Sequence, residues 1–393
     1  MIPGQLNPPS CLLLGPGPSD VHPRVLSCMS TPLLGHLHPA FLEIMLETQQ
    51  MLREVYRTKN QLTFPISATG MAGMEACLVN LVEPGDKVVV CSKGYFGARM
   101  IDVAGRCGAE VTVLNTPWGT VFDTNVLRET LQRVRPKVLG IVHAETSTGA
   151  WQPIEALGKL CHEFDCLLVV DAVTSLGCVP LEVDAWEIDA VYSCSQKGLS
   201  CPPGLSPVTF SPRAEDAMSK RKTKVQSWYL DMTMIRSYWG GDRAYHHTAP
   251  ITMNYALREG LRLALEEGLE KRWDRHMRNH RALKAGLLAL GLNYSAQEGH
   301  QLPQLNAVMI PEGVDDLTIR KRLLTDFGIE IGGGLGDFKG KVWRIGLMGF
   351  NSKPNAVLTV LAALEQCLRA TGAKTVPGSG VAAAEEEYVR LAV

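Results

Sequence analysis

Ser193-Cys194-Ser195-Gln196-Lys197-Gly198-Leu199, read with Leu167-Leu168-Val169-Val170-Asp171 about two dozen residues earlier, decides the fold. The earlier stretch is a run of four apolar residues closed by an acid, the pattern of a strand buried on both faces that ends on a carboxylate. The later one places a single lysine in a turn after another short apolar run, Ala190-Val191-Tyr192. A lone lysine after Ser-Gln is an ordinary solvated residue. It gains meaning only when an acid ends a strand upstream, because ligands of open parallel sheets gather at the carboxyl ends of the strands.

Working outward, strand-like runs recur at 62–66, 87–91, 110–114, 138–143, 167–171, 190–193 and 208–210. Helical patterns lie between most of them, at 70–81, 98–107, 125–133 and 154–164. Before the first comes 41–57, with Phe41, Ile44, Met45, Met51, Leu52 and Val55 at helical spacing. Buried strands alternating with helices predict an α/β fold whose large domain holds a mostly parallel seven-stranded sheet covered on both faces. A long helical stretch from Tyr255 towards Leu290 hands the chain to a smaller C-terminal α/β domain. That domain has strands at 307–310 and 342–345 and helices at 316–327 and 355–370. The expected division is an N-terminal arm, 1–10; a large domain, 11–268; a small domain, 269–370; and a flexible tail, 371–393, left outside the core.

Composition narrows the function. With 39 basic and 40 acidic residues the formal net charge is −1, so nothing draws the chain to nucleic acid or an anionic membrane. The one basic run, Lys220-Arg221-Lys222-Thr223-Lys224, reads as a solvated face. Eleven cysteines are scattered without CxxC or zinc spacing, which suits reduced thiols in a cytoplasmic setting. Cys11-Leu12-Leu13-Leu14 is too short for a signal core or a membrane span. No metal site is expected: the adjacent His246 and His247 point opposite ways along an extended chain.

Several further residues fall at strand ends. Ser67-Ala68-Thr69-Gly70-Met71 joins a strand to a helix, where free amides stabilise a phosphate or simply meet an ordinary cap. Ala144-Glu145-Thr146-Ser147-Thr148-Gly149 offers hydroxyls in the same kind of position. Phe96, in Gly94-Tyr95-Phe96-Gly97, suits stacking on a planar ring as well as it suits a core. Arg344 is a charge inside the apolar Val342-Trp343-Arg344-Ile345-Gly346, with no acid in 342–349. A buried arginine needs an anion, and a substrate carboxylate fits its planar fork in two parallel bonds. Phosphate cup, aromatic, hydroxyl, acid, lysine and late arginine together suit pyridoxal 5′-phosphate (PLP). The lysine forms a Schiff base, and the carboxylate keeps the pyridine nitrogen protonated so that the ring accepts electrons.

This order and spacing resemble the class V aminotransferases of the fold-type I PLP enzymes, and within them the alanine–glyoxylate (serine–pyruvate) aminotransferases. The resemblance runs from Leu12 to about Ala370. Its motifs are Leu13-Leu14-Gly15-Pro16-Gly17-Pro18-Ser19, Glu145-Thr146-Ser147-Thr148-Gly149, Val170-Asp171-Ala172-Val173, Ser195-Gln196-Lys197, Tyr245-His246-His247-Thr248 and Trp343-Arg344-Ile345-Gly346-Leu347. It implies the PLP-dependent transferase fold and assigns roles by position. Lys197 is the Schiff-base lysine, and Asp171 pairs with the pyridinium. Thr69, Gly70, Met71 and Gln196 hold the phosphate, and Thr146 bonds near the ring hydroxyl. Val173 and Phe96 cover the two ring faces. Tyr245 and Thr248 reach the phosphate of the neighbouring subunit, which implies a homodimer with shared sites. Arg344 clamps the substrate carboxylate, with Thr146 and the 15–19 loop, Gly17 above all, lining the pocket.

Two positions depart from the family pattern: Phe96 stands where Trp is frequent, and Met71 where His is frequent. The short N-terminus and the absence of a C-terminal peroxisomal tripeptide imply a bacterial-type cytoplasmic form. The implied reaction moves the amino group of alanine or serine to glyoxylate or pyruvate by a ping-pong route. Serine–glyoxylate, hydroxykynurenine and aminoethylphosphonate transaminases share the scaffold. A cysteine desulfurase is disfavoured because Gln196, not His, precedes the lysine. A nicotinamide dehydrogenase is disfavoured because Gly15-Pro16-Gly17 lacks the third glycine and the helix start of a dinucleotide fingerprint.

Overall fold

The computed structural model describes residues 3–240 and 244–392. The predicted apolar runs form one seven-stranded sheet in the order Leu62–Ile66, Ser206–Phe210, Ala190–Tyr192, Leu167–Asp171, Val138–Val142, Lys87–Ser92, Glu110–Asn115. All run parallel except Ser206–Phe210, which is antiparallel to both neighbours. One face buries Phe41, Met45, Phe64, Met74 and Phe210; the other buries Leu52, Leu131, Leu168, Val191 and Leu257. The strands are continuous apolar runs rather than alternating ones because neither face meets water. Glu110–Asn115, at the edge, is the one strand of this sheet with no buried position.

Helix starts follow local chemistry. His38 caps Pro39–Tyr56 by accepting the Ala40 amide through Nδ1 at 3.2 Å, with Pro39 in the first turn. Asp123 caps Thr124–Val134 in the same manner, accepting from Asn125 at 2.7 Å. Tyr95–Arg106 begins three residues before the predicted 98, so Tyr95 and Phe96 open a helix. Its N-cap Gly94 is forced by close approach, since a Cβ there would lie 2.5 Å from the Glu145 carboxyl carbon. The helical stretch after Tyr255 resolves into Ile251–Glu267 and Leu269–Ala289, broken at Gly268 with φ 86°.

Beyond it, Leu305–Met309 and Gly332–Gly333 flank Val342–Gly346 in an antiparallel sheet over Leu283, Leu287, Ile319, Trp343 and Leu361. Two segments depart from the expected division. Leu12–Leu13, expected in the large domain, pairs with Ile329–Glu330 instead, and Leu14 is buried in the C-terminal core. A free strand edge and three consecutive leucines account for this. The second is the tail, which the sequence leaves outside the core. Ser379–Arg390 is a helix packed on Leu269–Ala289, with Ala384 fully buried and the Tyr388 hydroxyl donating to Asn279 at 2.7 Å. The two helices approach so closely that a Cβ on Gly286 would meet the Gly380 carbonyl at 2.6 Å. Glu387 accepts from Arg281 at 3.0 Å. Val381, Ala384 and Tyr388 make too short an apolar stripe to stand out in a Gly-, Ala- and Glu-rich sequence. No helix among the described residues is long and apolar enough to cross a membrane.

If the docked tail contributes as its buried side chains suggest, a chain ending at Lys374 loses roughly 2–4 kcal/mol of stability. Its melting temperature should fall by several degrees, read by thermal denaturation; an unchanged Tm would mean the helix is not docked in solution.

Candidate active site

Asp171 ends its strand opposite Tyr192 in the parallel ladder. Its Oδ2 accepts the Tyr192 hydroxyl at 2.8 Å, and its Oδ1 accepts the Val173 amide at 2.8 Å. The residue is 3 % exposed. Burial pushes the carboxyl up to about 7, although both donors favour the anion. A cation set against it would restore the charged form.

Lys197 sits in the turn after Tyr192, at the same end of the sheet and one strand over from Asp171. Its carbonyl accepts from Ser19 Oγ at 2.9 Å and from the Ser200 amide at 3.0 Å. Its Nζ donates to the Pro16 carbonyl. Gly17, at φ +109°, leaves no alternative residue: a Cβ would lie 2.6 Å from Lys197 Cδ. Burial lowers the pKa of this ammonium, and the charge of Arg344 acts in the same direction. The predicted pocket loop 15–19 therefore lies directly against the predicted lysine.

The helix Gly70–Leu81 points its N-terminus at these segments. Thr69 is extended and its hydroxyl makes no capping bond. A Cβ on Gly70 would stand 3.0 Å from Cys194 Cβ and 3.5 Å from Val173 Cγ2. Helix amides not used within the first turn thus lie beside the Asp171 and Lys197 segments. Met71, Phe96 and Val173 are half-buried against the same apolar layer. The side-chain carbonyl of Gln196 is buried with no hydrogen-bond partner.

Arg344 comes from the C-terminal sheet and is 6 % exposed. Its Nε donates to the Gly333 carbonyl at 2.8 Å and its Nη1 to the Thr146 carbonyl at 3.4 Å. It makes no ion pair among the described residues. Burial lowers its pKa to about 10, opposed by Glu145. Thr146 shares a 2.5 Å hydroxyl contact with Thr174.

Sequence reasoning missed Tyr192 and Glu145. Fully buried Glu145 accepts from the Ser147 hydroxyl at 2.6 Å, the Ser147 amide at 3.1 Å and the Gly97 amide at 3.4 Å. It thereby ties the Thr146 segment to the first turn of the Phe96 helix. The only signal for it was its place in Glu145-Thr146-Ser147-Thr148-Gly149.

Tyr245 and Thr248 are exposed rather than gathered in with Asp171 and Lys197. Beside them, His246 and His247 do not point apart as expected: their Nδ1 atoms lie 2.8 Å from each other, His247 Nε2 lies 2.7 Å from Ser67 Oγ, and His246 stacks on Trp228 at 4.6 Å. No group of three or more potential metal ligands exists among the described residues.

A buried acid with no ion pair among the described residues, a buried amine beside it and a helix N-terminus form a set that fits PLP. Comparison with known proteins agrees. Residues 29–337 match the sequence model of the family Aminotransferase class-V. The chain is 41% identical to (S)-ureidoglycine–glyoxylate transaminase of Bacillus subtilis (strain 168), covering 98% of this chain and 97% of that one. It is 42% identical to alanine–glyoxylate aminotransferase of Callithrix jacchus over 93% and 89% of the two chains. The crystal structure of alanine–glyoxylate aminotransferase from Nostoc sp. superposes with a TM-score of 0.93, at 53% identity, covering 94% of this chain and 98% of that one. The chain belongs to the class-V aminotransferases. It is a PLP-dependent transaminase acting between amino acids and 2-oxo acids.

The Asp171 carboxyl gives a pH signature in the cofactor-free protein. An acid with a pKa raised on folding binds its proton more tightly when folded, so it costs stability as pH climbs from its ordinary value of 3.8 to about 7. Asp171→Asn removes that cost. Its melting temperature relative to wild type should rise steadily from about pH 4 to about pH 7 and then level off. A difference that does not vary with pH would place the carboxylate in a wetter site than described.

Proposed function

We propose that this transaminase moves the amino group of a small amino acid, alanine or serine, to glyoxylate or pyruvate. Glyoxylate is favoured as acceptor, since all three named relatives carry it in their names. The observation that carries the size limit is Pro16. Its carbonyl takes the Lys197 ammonium, while its ring lies where a Cβ on Gly332 would touch it, at 2.4 Å. That same Cβ position is 3.6 Å from Arg344 Nη2. One proline thus spans the gap between amine and guanidinium, leaving room for a short side chain. Arg320, the guanidinium beside Gly333, is held in two bonds by Asp316 at 2.8 and 2.9 Å. It is not free to take a second carboxylate, so aspartate and glutamate are poor donors.

When bound, PLP supplies an electron-accepting aldehyde that carries the amino group from donor to acceptor. The chain's residues do the rest. Lys197 would hold the cofactor through its amine, and that amine would serve as the base that takes and returns the substrate Cα proton. Its lowered pKa leaves the amine readier to act as a base. Asp171, steadied by Tyr192 and the Val173 amide, holds its negative charge against the ring nitrogen. Thr69, Gly70, Met71 and Gln196 bind the phosphate, Thr146 the ring hydroxyl, and Val173 and Phe96 cover the ring faces. Arg344 binds the α-carboxylate of donor and acceptor in turn, giving ping-pong kinetics.

The unit is proposed to be a homodimer in which Tyr245 and Thr248 complete the partner's phosphate site; their exposure supports this. A monomer in sedimentation at working concentration would contradict it. A cytoplasmic location is proposed because all eleven cysteines are free thiols; fractionation to another compartment would overturn it. A second reading takes (S)-ureidoglycine as donor, on the strength of the Bacillus subtilis relative's near-complete coverage.

Assaying alanine, serine, (S)-ureidoglycine, aspartate and glutamate against glyoxylate and pyruvate separates these readings. Alanine or serine should exceed both dicarboxylates by tenfold or more, taking about 1.4 kcal/mol per factor of ten. Arg344→Lys should lower kcat/KM for donor and acceptor alike by roughly ten- to a hundredfold while cofactor binding changes little. Glutamate outrunning alanine and serine, or normal Arg344→Lys kinetics, would show the substrate class to be wrong.

A further inference from the structure

The residues after Asp171 and after Lys197 run in two separate turns, and one guanidinium bonds to both. Arg272 stands in the first turn of Leu269–Ala289, just past the break at Gly268, and only 6 % of it is exposed. Its Nε donates to the Gly177 carbonyl at 2.9 Å, in the turn that follows Asp171. Its Nη2 donates at 2.5 Å to the carbonyl of Gly198, the residue after Lys197. Its Nη1 donates to Glu267 at 2.7 Å, so each guanidinium nitrogen has one partner.

The two turns are pressed together at that point. A Cβ on Gly198 would lie 2.3 Å from the Leu176 carbonyl and 2.6 Å from Cys178 Sγ. Packing alone therefore sets how near they come, but carbonyls held by packing still rotate and slide. A planar fork donating to both removes that freedom. The cost of burying the charge is offset by Glu267, itself held by Arg275.

The same helix face extends the arrangement to the third segment of the site. Arg275 donates to the carbonyls of Gly349 at 2.9 Å and Ser352 at 2.5 Å, in the turn that follows the Arg344 strand. His276 accepts the Gly349 amide through Nε2 at 2.9 Å, while its Nδ1 faces the Arg272 carbonyl at 2.7 Å. Two turns of one helix thus hold the chain just downstream of Asp171, Lys197 and Arg344.

We infer that Arg272 is a positioning residue that fixes Lys197 relative to Asp171, acting through the backbone of Gly198 and Gly177. The inference rests on the roles proposed above for those two residues. A displacement of about 1 Å between proton carrier and reacting carbon costs on the order of a hundredfold in rate, and Arg272 hydrogen-bonds the backbone just after Lys197 and in the turn after Asp171 without touching either side chain.

The test uses holoenzyme of wild type, Arg272→Met, Arg272→Lys and Glu267→Gln. Arg272→Met should bind PLP and keep KM for the amino donor within about twofold, while kcat falls at least about tenfold. The pH midpoint of the bound cofactor's visible absorbance should shift by roughly half a unit or more, since it reports the Lys197–Asp171 geometry without turnover. Arg272→Lys, able to restore one of the two backbone bonds, should recover part of both losses. Glu267→Gln should shift both in the same direction by less, and it decides the matter if Arg272→Met does not fold. Lower Tm with wild-type kcat and absorbance midpoint would make Arg272 merely structural and overturn the inference. If the wild-type cofactor is not attached at Lys197, the site assignment fails first and this inference with it.

Discussion

A carboxylate sealed at the end of a fully buried strand is the constraint to which the site answers. Asp171 cannot be solvated, so its charge survives only if donors and a cation meet it there. Tyr192 and the Val173 amide supply two donors and leave the carboxyl near neutrality on their own. Lys197 adds a cation nearby that also favours the anion, though less than burial opposes it. In the proposed site the protonated pyridine nitrogen of the cofactor would be the cation set against Asp171, and cofactor and acid would each hold the other in the required form.

The remaining charges follow the same logic of burial without full compensation. Arg344 is buried with two backbone carbonyls and, among the described residues, no carboxylate; in the proposed function a substrate acid would complete it. Lys197 is buried next to that guanidinium, which keeps its proton loosely held. Glu145 lies behind them, its oxygens taken up by Ser147 and Gly97, and balances Arg344 without pairing with it. Behind Glu145 sits Lys93, fully buried and pushed down to about 7, mainly by desolvation. Charges held this way are destabilising in the empty protein and useful on binding, since ligand charge relieves them.

The fold was legible in the sequence wherever burial on both faces left continuous apolar runs. Each strand of the central sheet lies within a residue or two of its expected place, with Ser206–Phe210 beginning two residues early. Asp171 and Lys197 were legible for the same reason, as polar exceptions at the ends of such runs. Tyr192 was not, because its partner is fixed by lateral strand order, which no local pattern encodes. Glu145 was hidden among its hydroxyl neighbours. The Leu12–Leu13 pairing and the docked tail helix were missed because each depends on a surface built elsewhere in the chain. No local pattern marks Arg272, because its burial arises only once the two turns it holds are in place.

The lysine that this arrangement marks for the cofactor is Lys197. Borohydride reduction of the holoenzyme, followed by digestion and mass mapping, tests it without any substitution. A single peptide should carry the reduced cofactor, with the added mass on Lys197. The same mass on another lysine, above all the buried and readily deprotonated Lys93, would contradict it.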